Sequence, residues 1–335
     1  MSELVSVVIP CRNEAKSILK TVEAILQSVY PNVEVIVVDG MSNDGTREIL
    51  QELVREDRRV RMIDNNQMLT PYAFNLGVKA ARGEFVQIVG SRNVLDPEYL
   101  YHLVETLKSQ PDIACVGGDY QHVGDGEIGR VIALAMESKF GVGMGNYRTM
   151  QASGFVDTVG VPMYRRSIFS EVGYFDESLT RNQDDDFNFR LTQKGLKIFY
   201  VHQAKTTYLV RGNWKKLFHQ LSQYGYFKVF VNRKHQSVTT IRQVIPPAFL
   251  AFLVIAVPFG LALHAVANLV SFVLFLYLIL GFALAGRGLS FMDRLQVVAT
   301  CFIMHIGYGY GYWMGIWDFL VLKARPRSSF QRQTT

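Results

Sequence analysis

Short apolar runs alternate with amphipathic stretches along the first 116 residues. The apolar runs predict strands at 5–10, 33–38, 60–63, 84–89 and 113–116. Apolar residues at helical spacing predict helices at 15–28, 46–55, 71–81 and 96–109. This order is typical of an α/β domain with a doubly wound, mostly parallel sheet, which binds its ligand outside the carboxyl ends of the strands.

The pattern then loosens and later becomes strongly apolar. Glycine-rich residues 119–160 are predicted to form loops, followed by helices at 165–172 and 184–194. The second of these helices begins with three aspartates and ends at Lys194-Gly195, in keeping with the helix dipole and a glycine cap. Together, residues 1–212 are predicted to form the α/β domain.

Residues 213–243 are amphipathic, which predicts either an interfacial membrane helix or a surface helix of the α/β domain. A membrane region follows at 244–322. Its runs 244–265 and 267–286 are each long enough for a hydrocarbon core of about 30 Å, and their short link predicts a hairpin. The stretch 296–322 is a third span or a re-entrant segment, and 323–335 is a basic tail.

Composition and charge place this chain at a membrane. It is 49% hydrophobic and 19% charged, which excludes a purely soluble or disordered protein. Basic residues precede the first apolar run, so we expect a multi-pass inner-membrane protein with a cytoplasmic α/β domain. No nucleic-acid-binding motif accompanies the net charge of +6. These basic residues are Lys205, Arg211, Lys215, Lys216, Lys228, Arg233, Lys234 and Arg242.

Polar residues follow successive predicted strands. Pro10, Arg12 and Glu14 come after the first, Asp39 ends the second, and Arg92 follows the fourth. A carboxylate placed like Asp39 can accept hydrogen bonds from a nucleobase or ribose. The segment Asp44-Gly45-Thr46 also has an ordinary interpretation, as a turn and a helix cap.

Several segments, in order, resemble one enzyme family. VSVVIPCRNE, VEVIVVDGMSNDGT and FNLGVKAARGEFVQIVG resemble the nucleotide-sugar half of family 2 glycosyltransferases, and VGYFDESLTRNQDDDFNFRLTQKGLKI is similar to their acceptor-side segment. HQLSQYGYFK and HIGYGYGYWMGI are similar to the membrane-associated exopolysaccharide subgroup of succinoglycan type. The resemblance implies a GT-A fold and inverting transfer of a hexose from a nucleotide sugar, with UDP as the expected nucleotide, to a lipid-linked saccharide.

Two alternatives stay open at this point. One is transfer directly to polyprenyl phosphate. The other is a non-catalytic nucleotide-sugar-binding subunit of an assembly, because an acidic motif of the family is missing.

The resemblance also implies roles for individual residues. Nucleotide-binding positions are matched by Pro10, Arg12, Glu14, Asp39 and Asn75. Asp184 matches the catalytic base, which a sugar hydroxyl needs to become a good nucleophile, while Gln183 replaces the glutamate that precedes it. Asp185 and Asp186 have an ordinary interpretation as an acidic first helical turn.

Acceptor or diphosphate contacts are expected from a second group of residues. Gln220, Gln223 and Tyr224 stand where processive members have Gln-x-x-Arg-Trp, and the replaced Arg and Trp weigh against processive synthesis. Arg165 is either a phosphate ligand or, with Arg166, an exposed basic pair.

The Asp-x-Asp motif that holds Mg²⁺ or Mn²⁺ in the family is missing. Gly90, Ser91 and Arg92 occupy its positions, and Asp96 is better placed to cap a helix. Losing both carboxylates should weaken metal binding severely. We therefore assign no metal ligand and hypothesise that Arg92 partly replaces the ion, since a guanidinium binds phosphate oxygens in a bidentate way. The alternative is an exposed loop arginine in a weakly active protein.

Overall fold

The computed structural model describes residues 3–143, 147–210, 212–238 and 241–331. The described residues divide into two compact units, one within 3–121 and 150–209 and the other within 122–149 and 210–331. Residues 122–149 therefore belong with the C-terminal helices, whereas the sequence pattern places them in the α/β domain. Arg211 and the end of the basic tail, 332–335, lie outside the described residues.

Secondary structure follows the chain in this order: β1 (Val5–Cys11), α1 (Ile18–Leu26), β2 (Val33–Asp39), α2 (Thr46–Glu56), β3 (Val60–Asp64), α3 (Thr70–Ala80), β4 (Phe85–Ile88), β5 (Asn93–Leu95), α4 (Tyr99–Ser109), β6 (Ile113–Val123), α5 (Gly126–Glu137), α6 (Lys139–Val142), β7 (Gly154–Val156), β8 (Gly160–Arg165), α7 (Ile168–Val172), α8 (Gln183–Gln193), β9 (Lys197–Leu209), α9 (Trp214–His235), α10 (Ile245–Gly260), α11 (His264–Leu284), α12 (Phe291–Gly315) and α13 (Ser328–Gln331). Two short 3₁₀ turns, Tyr147–Thr149 and Ile241–Val244, and a π-helical turn, Ile316–Val321, complete it.

The first unit is built on one mixed sheet, in the order β3-β2-β1-β4-β8-β6-β9-β5, with β7 paired to β9. Strands β1 to β4 are parallel, and their register sets Cys11 beside Asp39 and Asp39 beside Asp64. The ends of β1, β2 and β4 therefore meet at one edge of the sheet, which we call the carboxyl edge. The core lies between the sheet and its helices, where Val7 of β1, Val35 of β2 and Leu103 of α4 are fully buried.

The mostly parallel α/β architecture is confirmed, but the details differ in three places. The helix predicted from residue 96 begins at Tyr99, and the one predicted from 165 begins at Ile168. Arg165 instead ends β8, which pairs antiparallel with β4 and β6, so distant strand pairing outweighs the local pattern. Residues 119–160 include the long helix α5 rather than loops alone.

In the second unit, α9 runs along α12 with almost no space between the backbones. A Cβ added to Gly311 would lie 1.8 Å from the carbonyl oxygen of Ser222, and one added to Gly315 would lie 2.7 Å from that of Tyr226. Small residues permit such close contact between helices, as in membrane helix pairs. Leu217 and Phe227 of α9 are buried, so one face of this predicted amphipathic helix is covered by protein.

Helices α10 and α11 form the expected hairpin, with its turn at 261–263 rather than at 266. Among the described residues, two segments are long and apolar enough to cross a membrane, Arg242–Gly260 and His264–Leu284. The third apolar stretch behaves differently, because ten residues of α12 are buried and its π-helical end carries a buried Asp318. Arg327 binds Asp318 through two contacts of 2.6 Å, so the basic tail folds back within this unit.

Candidate active site

The loop after β1 and the loop after β4 meet at the carboxyl edge. Nε of Arg92 donates to both carboxylate oxygens of Glu14, at 2.9 and 2.8 Å. Glu14 also accepts from the hydroxyl of Ser17 at 3.1 Å, just before α1 begins. The sequence placed Glu14 and Arg92 in one site, and the structure brings them into direct contact.

Residues 90–93 form a firmly held loop rather than a loose one. The Asn93 N–H donates to the Gly90 carbonyl at 2.9 Å, and the Ser91 carbonyl accepts from the hydroxyl of Thr21 at 3.0 Å. The Arg92 carbonyl accepts from the N–H of Leu209 at 3.2 Å. Arg92 is thus fixed at both its backbone and its side chain, which argues against the exposed-loop interpretation.

Asp39 is placed at the carboxyl edge, yet its side chain is fully buried. One carboxylate oxygen accepts from the Ser42 hydroxyl at 2.5 Å, and the other accepts from Arg47 at 2.6 Å. Arg47 also reaches Asp64 at 2.8 Å. Arg47 therefore covers the Asp39 carboxylate and is the more accessible of the two side chains.

Sequence reasoning missed Arg47, which lies in the first turn of α2, eight residues after Asp39. Only the fold of the intervening loop brings the two together. The pKa of Arg47 is raised by its hydrogen bonds to Asp64 and Asp39, so the guanidinium stays charged. An arginine directly after the Asp-Gly-Thr turn was the available signal.

The Asp44-Gly45-Thr46 segment is a turn and a helix start, as its ordinary interpretation predicts. Gly45 has a φ of +97°, a value that favours glycine, and Asp44 accepts from the Thr46 N–H at 3.1 Å. Slight burial raises the pKa of Asp44, but hydrogen bonds from Thr46 and Ala15 outweigh it and lower the pKa. Thr46 in turn accepts from the Glu14 N–H at 2.9 Å, which ties the loops after β1 and β2 together.

Asn75 is buried in α3 and binds the segment that contains Phe175 and Glu177. Its amide exchanges hydrogen bonds with the backbone of Phe175, at 2.9 and 3.0 Å, and donates to Glu177 at 2.9 Å. These contacts occupy both ends of the amide, so they argue against the nucleotide contact that the resemblance implies. Pro10 lies in β1 opposite Val38, and Arg12 lies just beyond the strand, where its buried Nε has no protein partner among the described residues.

Asp184 lies in the first turn of α8 and is exposed. The helix beneath it is rigidly held, because Phe187 is fully buried between Phe169 and Phe175, with ring centroids 5.2 and 4.7 Å away. Arg190 of the same helix donates to the backbone carbonyls of Val172 and Tyr174. The fold therefore presents Asp184 from a fixed scaffold.

The neighbours of Asp184 have different environments. Asp186 is fully buried and pairs with Arg190 at 3.0 Å, which gives it a structural role. Gln183 is buried, and its side-chain oxygen has no hydrogen-bond partner among the described residues.

The phosphate role expected for Arg165 does not agree with its position. Arg165 pairs with Phe85 at the start of β4, which is the sheet edge opposite the carboxyl edge. Its guanidinium donates to the backbone carbonyls of Leu107, Gln110 and Ile113. Arg166 likewise donates to the carbonyl of Gly83 at 2.7 Å. Both arginines hold backbone carbonyls near this edge of the sheet, which argues against a phosphate role for Arg165, while Arg166 is exposed as the alternative interpretation expects.

Gln220, Gln223 and Tyr224 lie on α9 in the second unit. Gln220 donates to the Tyr224 hydroxyl at 3.2 Å. Gln223 is buried and donates to the carbonyl of Phe330 at 2.8 Å, so its amide holds the C-terminal segment. That contact gives Gln223 a structural task in place of the acceptor contact expected from the sequence.

No group of three or more His, Cys, Asp or Glu side chains within the described ranges is arranged to hold a metal ion. At the carboxyl edge, the two oxygens of Glu14 are taken by Arg92, Asp39 and Asp64 share Arg47, and positions 90–93 supply no carboxylate. The residues present therefore do not fit the divalent ion that the Asp-x-Asp motif holds. All three cysteines are free and buried.

The mixed, mostly parallel sheet of the first unit, with its loops gathered at the carboxyl edge, has the GT-A architecture. The chain belongs to glycosyl transferase family 2, whose family model matches residues 6–173. It is 30% identical over 323 residues to the succinoglycan biosynthesis protein ExoA of Rhizobium meliloti (strain 1021), covering 93% of this chain and 95% of that protein.

Two further comparisons extend this result. The chain is 30% identical over 242 residues to a dolichyl N-acetyl-alpha-D-glucosaminyl phosphate 3-beta-D-2,3-diacetamido-2,3-dideoxy-beta-D-glucuronosyltransferase of Methanococcus voltae, covering 69% of this chain and 74% of the relative. The mannosyltransferase PcManGT of Pyrobaculum calidifontis, solved with GDP-Man and Mn²⁺, has a TM-score of 0.65 at 15% identity over 95% of this chain and 88% of that one. That likeness establishes the shared fold.

Proposed function

We propose that this protein transfers a hexose, with inversion, from a nucleotide sugar to a lipid-linked saccharide during polysaccharide biosynthesis. The observation that carries the proposal is Asp184, an exposed carboxylate on a rigid helix at the family's base position. We take UDP as the nucleotide of the donor, from the exopolysaccharide resemblance. The expected location is the inner membrane, with the first unit in the cytoplasm.

The proposed chemistry is a single displacement. The acceptor hydroxyl oxygen attacks the anomeric carbon while the bond to the diphosphate breaks, and the diphosphate leaves with the electron pair. Asp184 accepts the hydroxyl proton, a contribution of typically about 10²–10⁴-fold. Cationic groups opposite the departing diphosphate supply the electrostatic part of the stabilisation.

Two lines of support point to a lipid-linked acceptor. The Methanococcus voltae relative is named for transfer to a sugar carried on dolichyl phosphate, which is a lipid-linked saccharide. This chain also has a hairpin whose apolar side chains are exposed, including Val254 and Phe272. Exposed apolar area of this extent requires an apolar partner, and a bilayer is the partner that matches two helices of spanning length.

The test is turnover by the full-length protein in lipid nanodiscs. Labelled UDP-hexoses and GDP-mannose are offered with a lipid-linked saccharide or with polyprenyl phosphate, and the lipid fraction is then extracted and counted. We expect label on the lipid-linked saccharide. Label on polyprenyl phosphate alone would replace the proposed acceptor, and nucleotide-sugar binding without turnover on either acceptor would indicate the non-catalytic subunit.

A further inference from the structure

We infer that Glu14 and Arg92 form a preset cationic clamp for the donor diphosphate, so that nucleotide binding needs no divalent ion. This inference rests on the proposed function and assigns to Glu14 a role different from direct contact with the nucleotide. Glu14 is a positioning residue: it holds Arg92, and Arg92 holds the phosphates.

The first step of the argument is the geometry of the guanidinium. An arginine has five N–H donors, and the single donor on Nε of Arg92 is shared between both oxygens of Glu14. Throughout the described chain, no protein atom accepts a hydrogen bond from the two outer nitrogens of Arg92. Four donors in one plane are therefore left for a ligand, and this arrangement suits phosphate oxygens.

The second step is that the pair is held in place. The side chains are 23% exposed for Arg92 and 11% exposed for Glu14. Both neighbouring loops are tied down, one through Thr21 and Leu209 and the other through Thr46. Because the cation is oriented before the ligand arrives, little reorganisation is needed when charge develops on the leaving diphosphate.

Other unpaired donors point to a ligand at the same edge. Asn93, next to Arg92, is 2% exposed, and its side-chain nitrogen has no hydrogen-bond partner among the residues described. Nε of Arg12, at the end of β1, is also buried without one. Buried donors without partners are rare in folded proteins, and an anion would reach these two after a small shift of the side chains that cover them.

The third step compares charges. Two aspartates with one divalent ion sum to zero, and so do Glu14 and Arg92. The guanidinium therefore offers the phosphates a cation held by one carboxylate, Glu14, in place of an ion held by two. This accounts for the replacement of the Asp-x-Asp positions by Gly90, Ser91 and Arg92 within an otherwise recognisable family sequence.

The experiment is calorimetric titration of UDP, and in parallel GDP, into the full-length detergent-solubilised protein, first in excess EDTA and then with Mn²⁺. We expect the better-bound nucleotide to have the same Kd in both buffers, within about threefold. Arg92→Ala should weaken binding about 10- to 100-fold in EDTA, the range expected for losing charge-assisted hydrogen bonds. Arg92→Lys keeps the positive charge but loses the planar set of N–H donors, so its Kd should lie between those of the wild type and Arg92→Ala.

Matched variants separate positioning from folding. Glu14→Gln should weaken nucleotide binding when Arg92 is present but have no further effect in the Arg92→Ala background. Destabilisation of the whole fold would not produce this dependence of one substitution on the other. Arg59→Ala is the control, because Arg59 is another ion-paired arginine, bound to Asp57 and placed before β3 at the opposite edge. The double variant Gly90→Asp with Arg92→Asp should bind nucleotide only with Mn²⁺, and Mn²⁺ bound with UDP can be followed by electron paramagnetic resonance.

The outcomes are distinguishable. Wild-type binding that appears only with Mn²⁺, or an Arg92→Ala variant that binds as wild type does, would overturn the clamp while leaving the proposed function intact. An additive Glu14→Gln effect would remove the positioning role. Failure of both nucleotides to bind in either buffer would overturn the proposed function and this inference together.

Discussion

The two units of the chain use the same apolar residue types in opposite ways. In the first unit Val7, Ile36 and Phe85 are fully buried within the sheet layers. In the hairpin of the second unit, Leu261 is 89% exposed and Phe272 61% exposed. The first unit makes its own apolar interior, whereas the hairpin depends on an apolar phase that surrounds it.

Glycine permits close backbone approach in both units, but between different kinds of element. In the first unit, a Cβ added to Gly118 would lie 2.1 Å from the carbonyl oxygen of Ala204, so glycine lets neighbouring backbones meet in the sheet. In the second unit, Gly225, Gly311 and Gly315 let two helices touch along their length. In the helical unit this close backbone approach adds to a side-chain core that includes Phe227 and Val297.

The largest expected effect concerns the first unit alone. Asp184→Asn should lower the transfer rate by about 10²–10⁴-fold, because the amide cannot accept the hydroxyl proton. Nucleotide binding, measured by the same titration, should stay within a few-fold of wild type. Asp185→Asn removes the same charge from the same helical turn and should keep most of the activity. Equal losses of rate in both variants would mean that the negative charge of this turn matters, and not a base at Asp184.

The hairpin gives the next largest effect. Phe272→Arg should reduce the fraction of protein that stays in membranes after alkaline carbonate extraction, since an arginine near the centre of a span costs about 2.5–3.5 kcal/mol. Leu19→Arg makes the same change at an exposed apolar position of α1, 43% exposed, and should have no effect. If both variants were retained equally, the hairpin would not be facing lipid.

A smaller effect is expected where α9 meets α12. Gly311→Leu should lower the free energy of unfolding of the second unit by roughly 1–3 kcal/mol or more, because backbone atoms of Ser222 occupy the space of the new side chain. Thermal unfolding in detergent, followed by circular dichroism, measures the change. The control Ala299→Leu adds the same side chain to an exposed position of α12 and should leave the midpoint near that of wild type.

The smallest effect is a pH dependence in the first unit. The pKa of Asp44 is lower in the folded protein than its ordinary value of about 3.9, so its contribution to stability is present above about pH 4. That contribution is lost as the pH falls through the lower folded value. The protection factors of the Ala15 and Thr46 amides, which compare their exchange with that of an unstructured chain at the same pH, should therefore fall at acid pH, and Asp44→Asn should remove the acid-dependent part. If the acid dependence of exchange were unchanged in Asp44→Asn, another carboxylate would be its cause.

Much of the architecture was predictable from the chain itself. Buried parallel strands read as continuous apolar runs, so β1 to β4 and their helices were found close to their observed bounds. The hairpin followed from two apolar runs of spanning length. Parallel order in turn predicted that the loops after β1 and β4 would share one edge, and Glu14 and Arg92 meet there.

What the sequence could not decide is which partner each polar side chain takes. Arg165 and Arg92 are the same residue type in short polar segments, yet strand pairing puts Arg165 at the edge opposite the site, where it binds backbone carbonyls. The side-chain amides of Asn75 and Gln223 likewise donate to the carbonyls of Phe175 and Phe330, which lie 100 and 107 residues away in the chain.

The local pattern of apolar and polar residues predicts burial and helical or strand periodicity, because these depend on near neighbours along the chain. Hydrogen-bond partners depend on loops closed over long distances, and a single pairing such as β8 with β4 redirects every side chain beside it. The sequence by itself therefore determined the family, the layered α/β unit and the apolar hairpin. Only the tertiary structure decided that Glu14 holds Arg92, because the two residues are 78 positions apart and meet only when their loops close over the same edge of the sheet.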